Sequence, residues 1–385
     1  MALTPRLVRA CRGEEVDRTP AWLMRQAGRY LPEYRKVREA HSLLDICADA
    51  ELTSKVTLQP LERFDLDAAI IFADILLPLV PMGIELDFVP GKGPVIQNPI
   101  QSVSDVKALE LFDPRDHLSP TLEAISSVRT EVDQNSAVIG FAGAPFTLAS
   151  YLIEGGPTKN FGRVKSFMCN EPEAFRALMI KLREVSGRWL TAQAEAGADA
   201  LQLFDTWAGW LDPITYEKQV MEHSRFVFHS LKDTGCPTIH FAVGAPHLIE
   251  LLSQVGSDVL GVDWRLPIDE AWNRFSAELG IQGNLDPTAL LGSEQHIRGA
   301  VKDVMQRVNR RPGHIFNLGH GMLPQTPPDS VTIAIDAVRS YEATAAGHQA
   351  PVWWWWVVDW RGSRLRFGSV KLRVRTRAQS HQRSL

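Results

Sequence analysis

One pattern constrains the fold more than any other: short apolar runs recur along most of the chain, with longer amphipathic stretches between them. That alternation is the signature of strands and helices following one another. Eight candidate strands emerge, at residues 21–25, 68–74, 137–142, 199–204, 238–242, 259–263, 279–283 and 314–318. Several are continuous apolar runs rather than alternating ones, as expected for parallel strands covered on both faces. Between the third and fourth, Phe175, Leu178, Leu182, Val185 and Trp189 recur at helical spacing behind the start signal Asn170, Glu171, Pro172. Further helices are predicted at about 214–232, 247–255, 267–278, 293–310 and 328–345. Together these elements favour an α/β protein, a single closed (β/α)8 TIM barrel, with an open doubly wound sheet as the alternative. Residues 83–98, GIELDFVPGKGPVIQN, break the alternation with Pro90, Gly91, Gly93 and Pro94 and predict a hairpin excursion after the second strand.

At 385 residues and 45% hydrophobic composition the chain can bury a large core. Its carboxyl end differs in kind. Trp353 to Trp356 are four consecutive tryptophans, and residues 357–385 carry eight Lys or Arg against one Asp, which leaves the preceding body at −11 although the whole chain is only −4. The reading is a barrel domain over 1–347 and an atypical tryptophan-rich, basic tail over 348–385, expected to be poorly ordered. An acidic body argues against generic nucleic-acid binding, so any anion must be held in a local pocket. No apolar run approaches membrane-spanning length and the first residues lack a secretory apolar segment, so a cytoplasmic location without membrane insertion is expected. Cys11, Cys47, Cys169 and Cys236 are widely separated and form neither a disulfide framework nor a zinc pattern.

In parallel barrels chemistry gathers where strands end. Arg25 ends the first run in PAWLMRQAGR, and Arg29 follows it; two guanidinium groups there suit a substrate rich in carboxylates or phosphates. Asp74 ends IIFAD, and a carboxylate after such a run is either a cap or an electrostatic catalytic group. Asp205 and Thr206 follow the fourth run in LQLFDTWAG, while Trp207 and Trp210 either wall the mouth or pack. Later strand ends carry His240, Asp263, Gln282 and Asn284, whose polarity alone does not establish ligand contact. The loop N-L-G-H-G sets His320 between glycines, where it is either a proton-transfer or hydrogen-bonding group or a structural loop residue. The segment 140–156, GFAGAPFTLASYLIEGG, permits close backbone approach and offers the phenol of Tyr151, but it lacks the phosphate-loop and dinucleotide glycine patterns.

These motifs in this order resemble the uroporphyrinogen decarboxylase family of haem-pathway enzymes. The resemblance rests on Pro20 to Arg29, on Gly140 through Tyr151 to Gly155, and on IIFAD, QLFDTWAG and NLGHG, and it spans about residues 4–347. It implies a single barrel, usually a homodimer, that converts the four acetate arms of uroporphyrinogen III to methyl groups with neither metal nor organic cofactor. Carried over by position, Arg25 and Arg29 match substrate-carboxylate and acid-catalytic arginines, Asp74 the pyrrole-binding aspartate, Tyr151 and Thr206 hydrogen-bonding pocket residues, and His320 the pocket histidine. Gln26 is expected at the mouth. Thr206 stands where many relatives have serine. Two rivals differ in kind: a cobamide-dependent methyltransferase would need a histidine and a cysteine one residue apart, whereas His240 is followed by Phe241 and Ala242; a non-catalytic tetrapyrrole-binding protein would keep the pocket without turnover.

Overall fold

The computed structural model describes residues 4–89, 91–276 and 278–341; the anticipated boundary at 347 and the tail lie outside the described residues. Seven parallel strands form the main sheet in the order β1-β4-β5-β6-β7-β8-β9. They are β1 (Ala68–Ile70), β4 (Ala137–Gly143), β5 (Ala200–Asp205), β6 (Thr238–Ala242), β7 (Val259–Gly261), β8 (Gly280–Leu285) and β9 (His314–Leu318). Each pairs with the next one in sequence, so every crossover is of the strand, helix, strand kind. Leu86–Val89 (β2) and Gly93–Ile96 (β3) pair antiparallel as a separate hairpin between β1 and β4.

Continuous apolar runs become strands buried throughout: every residue of β4, β6, β7, β8 and β9 is buried. The outer face packs on helices. The longest, Pro172–Glu195, turns the predicted stripe Phe175, Leu178, Leu182, Val185 and Trp189 onto the core. The inner face holds a second cluster that includes Trp22, Met24, Ile139, Ile239, Phe241 and Ile315. A buried polar chain crosses that interior. Trp22 Nε1–H donates to Gln282 Oε1 at 3.0 Å, and Gln282 Nε2–H donates to Gln202 Oε1 at 3.1 Å. Gln282 is therefore spent inside the fold, and Asn284 likewise donates to the carbonyls of Asp263 and Leu266.

Two strand expectations need correction. Residues 21–25 are not a strand: among the described residues their one pairing is an isolated parallel bridge between Ala21 and Phe316. Side chains replace the ladder there, since Asn317 Oδ1 accepts the Met24 N–H at 2.9 Å and Gln26 Oε1 accepts the Leu23 N–H at 3.1 Å. The segment nevertheless touches both edges of the sheet. Phe316 N–H donates to Pro20 O (2.9 Å), Trp22 N–H to Phe316 O (3.3 Å), and Asp67 N–H, just before β1, to Ala21 O (2.8 Å). The second run ends early as well, because Phe72 N–H turns to the Thr57 hydroxyl (2.9 Å). What results is an α/β fold with a curled parallel sheet whose edge strands share Pro20–Trp22 as neighbour. Among the described residues no helix is long and apolar enough to cross a membrane.

Candidate active site

The polar residues of interest leave the sheet at one end. Arg25 follows the bridged segment, Asp74 lies beyond β1, Tyr151 sits on the helix Pro145–Glu154 after β4, Thr206 follows β5, and His320 follows β9. Strand polarity does this: parallel strands all deliver their carboxyl ends to the same rim.

Arg25 adopts φ = 62°, a left-handed conformation that disfavours a side chain. The turn that imposes it is closed by Gln26 N–H donating to Leu23 O at 2.9 Å. Its exposed side chain runs across Gly321, where an added Cβ would stand 2.4 Å from Arg25 Cδ, so the second glycine of N-L-G-H-G is the space the arginine occupies. Strain held by surrounding structure is common at working sites. Gln26 does not face the mouth. It is buried, its amide nitrogen donates to Ala68 O at 2.9 Å, and its carbonyl serves Leu23, so it holds the turn that presents Arg25. Arg29 is exposed, and its charge bears on Tyr34.

Asp74 is half-buried and accepts the Leu76 N–H at 2.9 Å. Burial pushes its carboxyl above the usual range, while the Leu76 N–H and the Arg25 guanidinium pull it back. Tyr151 stacks on Trp207 with ring centroids 3.8 Å apart and 27° between planes. Its phenol is pushed up by burial and by the Asp74 charge, with Arg25 opposing. Arg25, Asp74 and Tyr151 thus lie within electrostatic reach of one another. Thr206 is half-buried between two anchored neighbours: Thr147 donates its hydroxyl to Asp205 (3.0 Å) and accepts the Trp207 N–H (3.2 Å).

His320 is half-buried, and its Nδ1 accepts the Gly321 N–H. Burial lowers its pKa to about 4, with the charges of Arg25 and Arg265 acting the same way and Asp263 opposing. The imidazole is therefore neutral at neutral pH. Gly319 lets this loop rest on the segment that follows β7, since a Cβ there would lie 2.4 Å from Trp264 N, and the Trp264 ring stands 6.1 Å from that of His320. Trp264 and Arg265 escaped sequence reasoning; the signal was their position directly after Asp263 in VDWR. Among the described residues no cluster of three or more His, Cys, Asp and Glu side chains has the arrangement of a metal site.

The family model for uroporphyrinogen decarboxylase matches residues 3–341. The chain belongs to the uroporphyrinogen decarboxylase family. It is 48% identical over 332 residues to the uroporphyrinogen decarboxylase of Carboxydothermus hydrogenoformans, covering 86% of this chain and 95% of that one. Similarity to the Sorangium cellulosum enzyme of the same name is also 48%, over 335 residues, covering 87% of this chain and 96% of the relative. Among solved structures, a methyltransferase from Methanosarcina mazei superposes with a TM-score of 0.71 at 20% identity, covering 88% of this chain and 98% of its own. At that identity the likeness is one of fold. For a uroporphyrinogen decarboxylase family member, the matched span takes in every residue from Arg25 to His320.

Proposed function

We propose that this chain removes the carboxyl groups of the four acetate arms of uroporphyrinogen III, giving coproporphyrinogen III and carbon dioxide in tetrapyrrole synthesis. The observation that carries this reading is the mutual electrostatic reach of Arg25, Asp74 and Tyr151 at one mouth in a member of that family. Losing carbon dioxide directly from an acetate arm would leave an unstabilised carbanion. Protonating the attached pyrrole carbon first makes an iminium-like electron sink in the substrate, so the ring does the work of a cofactor. Carbon dioxide then leaves, the exocyclic methylene is protonated to methyl, and loss of the proton first added to the ring carbon restores the pyrrole.

In this scheme Asp74 accepts the pyrrole N–H groups and stabilises the positive charge that develops on the ring, from a site already built around its carboxylate. Arg25 and Arg29 anchor acetate and propionate arms through charge-assisted hydrogen bonds. Tyr151 and Thr206 orient the macrocycle, and His320 donates from Nε2, its Nδ1 being occupied by Gly321 N–H. Gln26 acts through the turn that positions Arg25.

The same reading closes the fold. Pro20–Trp22 takes the place of an eighth strand between β9 and β1, completing a (β/α)8 barrel with the hairpin as an excursion. It also places the enzyme in the cytoplasm as a homodimer without metal or organic cofactor, with residues 1–347 as the catalytic domain and 348–385 as an appendage. Trp210 (49% exposed) and Ile214 (63%), on the segment after β5, favour a self-associating face. Anaerobic incubation with uroporphyrinogen III, resolving products with seven, six, five and four carboxylates, tests the activity, and absence of all four refutes it. Mass in solution before and after removal of residues 351–385 tests the dimer and the appendage together.

A further inference from the structure

We propose that Arg265 is a second carboxylate-binding arginine of the mouth, positioned across the His320 loop from Arg25 to hold an acidic arm of the substrate. The inference deepens the proposed decarboxylase reading and rests on it.

Arg265 is held ready rather than free. Asp263, whose side chain is 2% exposed, receives the Arg265 N–H on Oδ1 and Arg265 Nη1–H on Oδ2, both at 2.8 Å, and Oδ2 also accepts the Gly244 N–H. The guanidinium carbon lies 4.0 Å from the centre of the Trp264 ring. One edge of the fork is thus fixed by a carboxylate and one face by an indole, while 46% of the side chain stays open to solvent. A guanidinium ordered in this way pays little extra entropy to grip an incoming carboxylate.

The location fits that task. Trp264 is in reach of the His320 ring, and the backbone at Gly319 packs on Asp263 and Trp264 with no room for a Cβ. On the other flank Arg25 fills the space over Gly321. Residues 319–321 therefore lie between two arginines carried by separate segments, Arg25 after the bridged Pro20–Trp22 stretch and Arg265 after β7. The charge of each bears on His320 in the same direction. A substrate with acidic arms around a macrocycle presents carboxylates spaced to meet cations on opposite sides of a pocket, and Arg265 supplies the cation that the arginines of the first segment cannot.

The test uses the full chain and its Arg265→Gln and Arg265→Lys variants, with uroporphyrinogen III under anaerobic conditions. We expect R265Q to raise KM about tenfold while kcat stays within about threefold, R265K to recover part of the loss, and added salt to weaken the wild type more than R265Q. The His320 ring, followed by NMR and assigned with H320Q, should titrate at higher pH in R265Q, a change that a purely structural role would not produce. Wild-type turnover with an unchanged KM in R265Q, or an unmoved His320 titration, overturns the assignment of Arg265 alone. A wild type that forms no decarboxylated product overturns the functional reading and this inference with it.

Discussion

Asp67 clasps the seam where Pro20–Trp22 meets the start of β1, and its removal gives the most quantitative test of how this fold presents its site. Its side chain is 1% exposed and pairs with Arg6 at 2.5 Å, Arg18 at 3.2 Å and Arg339 at 2.7 Å, while Oδ2 accepts the Ala21 N–H at 2.8 Å. Asp67→Ala orphans that N–H and takes one acceptor from each of three guanidiniums. Breaking a buried pair from one side costs about 3–5 kcal/mol. Arg6 keeps Asp17 and Arg339 keeps Asp65, so the cost falls at the lower end, about 3 kcal/mol. With an unfolding entropy of about 2.1 cal/mol/K per residue over roughly 340 residues, that lowers the melting temperature by about 4 °C. Asp67→Asn keeps an acceptor for Ala21 and should lose about half as much. Asp65→Ala, at a carboxylate 57% exposed, should cost no more than about 1 kcal/mol. Denaturant unfolding of the three variants reads these differences directly. If Asp67→Ala unfolds within about 1 kcal/mol of the wild type with an unchanged slope, the clasp is not holding the seam and the reasoning fails.

Two further outcomes concern the site and a third the buried histidines. Asp74→Asn retains an acceptor for Leu76 N–H but removes the charge, and loss of that electrostatic stabilisation, roughly 3 kcal/mol, should lower kcat by about two orders of magnitude; a variant within threefold of wild type by product chromatography removes Asp74 from its role. Gly321→Ala should displace Arg25, whose Cδ lies 2.4 Å from the new Cβ, and reduce kcat/KM at least about tenfold while the melting temperature changes little; unchanged kinetics would show that Arg25 is free to move aside. Burial holds His223, His314 and His320 near pKa 4, below the unfolded value, so each stabilises the fold fully above about pH 6.5 and loses that contribution as pH falls through 4. For fully buried His314 that contribution has a ceiling of about 3 kcal/mol. His314→Gln should therefore flatten the stability profile between those limits in pH-dependent unfolding, and an equally steep profile would contradict the assignment.

Much of this architecture is legible in sequence because local patterning and tertiary burial agree. The strands at 238–242 and 314–318 appear with the bounds their apolar runs imply, and the stripe from Phe175 to Trp189 is the buried face of its helix. The misreadings occur where a side chain takes a strand's partner. Thr57 claims Phe72 N–H, and Asn317 claims Met24 N–H from 293 residues away, a relation no local window contains. Arg25, Asp74 and His320 stand out because each follows an apolar run, and Tyr151 because it lies in a segment rich in small residues. Gln26 reads as a pocket residue only through its neighbours in sequence; its amide turns inward because the left-handed turn at Arg25 leaves Leu23 N–H in need of an acceptor. Arg265 is hidden for the opposite reason: an arginine after a strand ordinarily faces water, and only the Asp263 fork and the Trp264 face distinguish it.

The charges at the mouth also bear on where the reaction's proton originates. Arginine side chains do not release protons under ordinary conditions, so Arg25 and Arg29 are better suited to binding than to acid catalysis. Burial keeps His320 neutral, and the charges of Arg25 and Arg265 oppose its protonated form as well. A bound polycarboxylate reverses that field: each carboxylate seated on a guanidinium cancels a charge that opposes the imidazolium, and the pKa of His320 must rise as substrate enters. Binding and acidity are thereby linked, because the arms that anchor the substrate also bring His320 toward the protonated state that pyrrole protonation requires. The pH profiles distinguish this from a fixed acid. The limb assigned to His320 should lie near pH 4 in kcat/KM, which reports the free enzyme, and at higher pH in kcat, which reports the complex. Coincident limbs would mean that substrate charge does not reach the imidazole, and the proton would then have to come from a group outside this cluster.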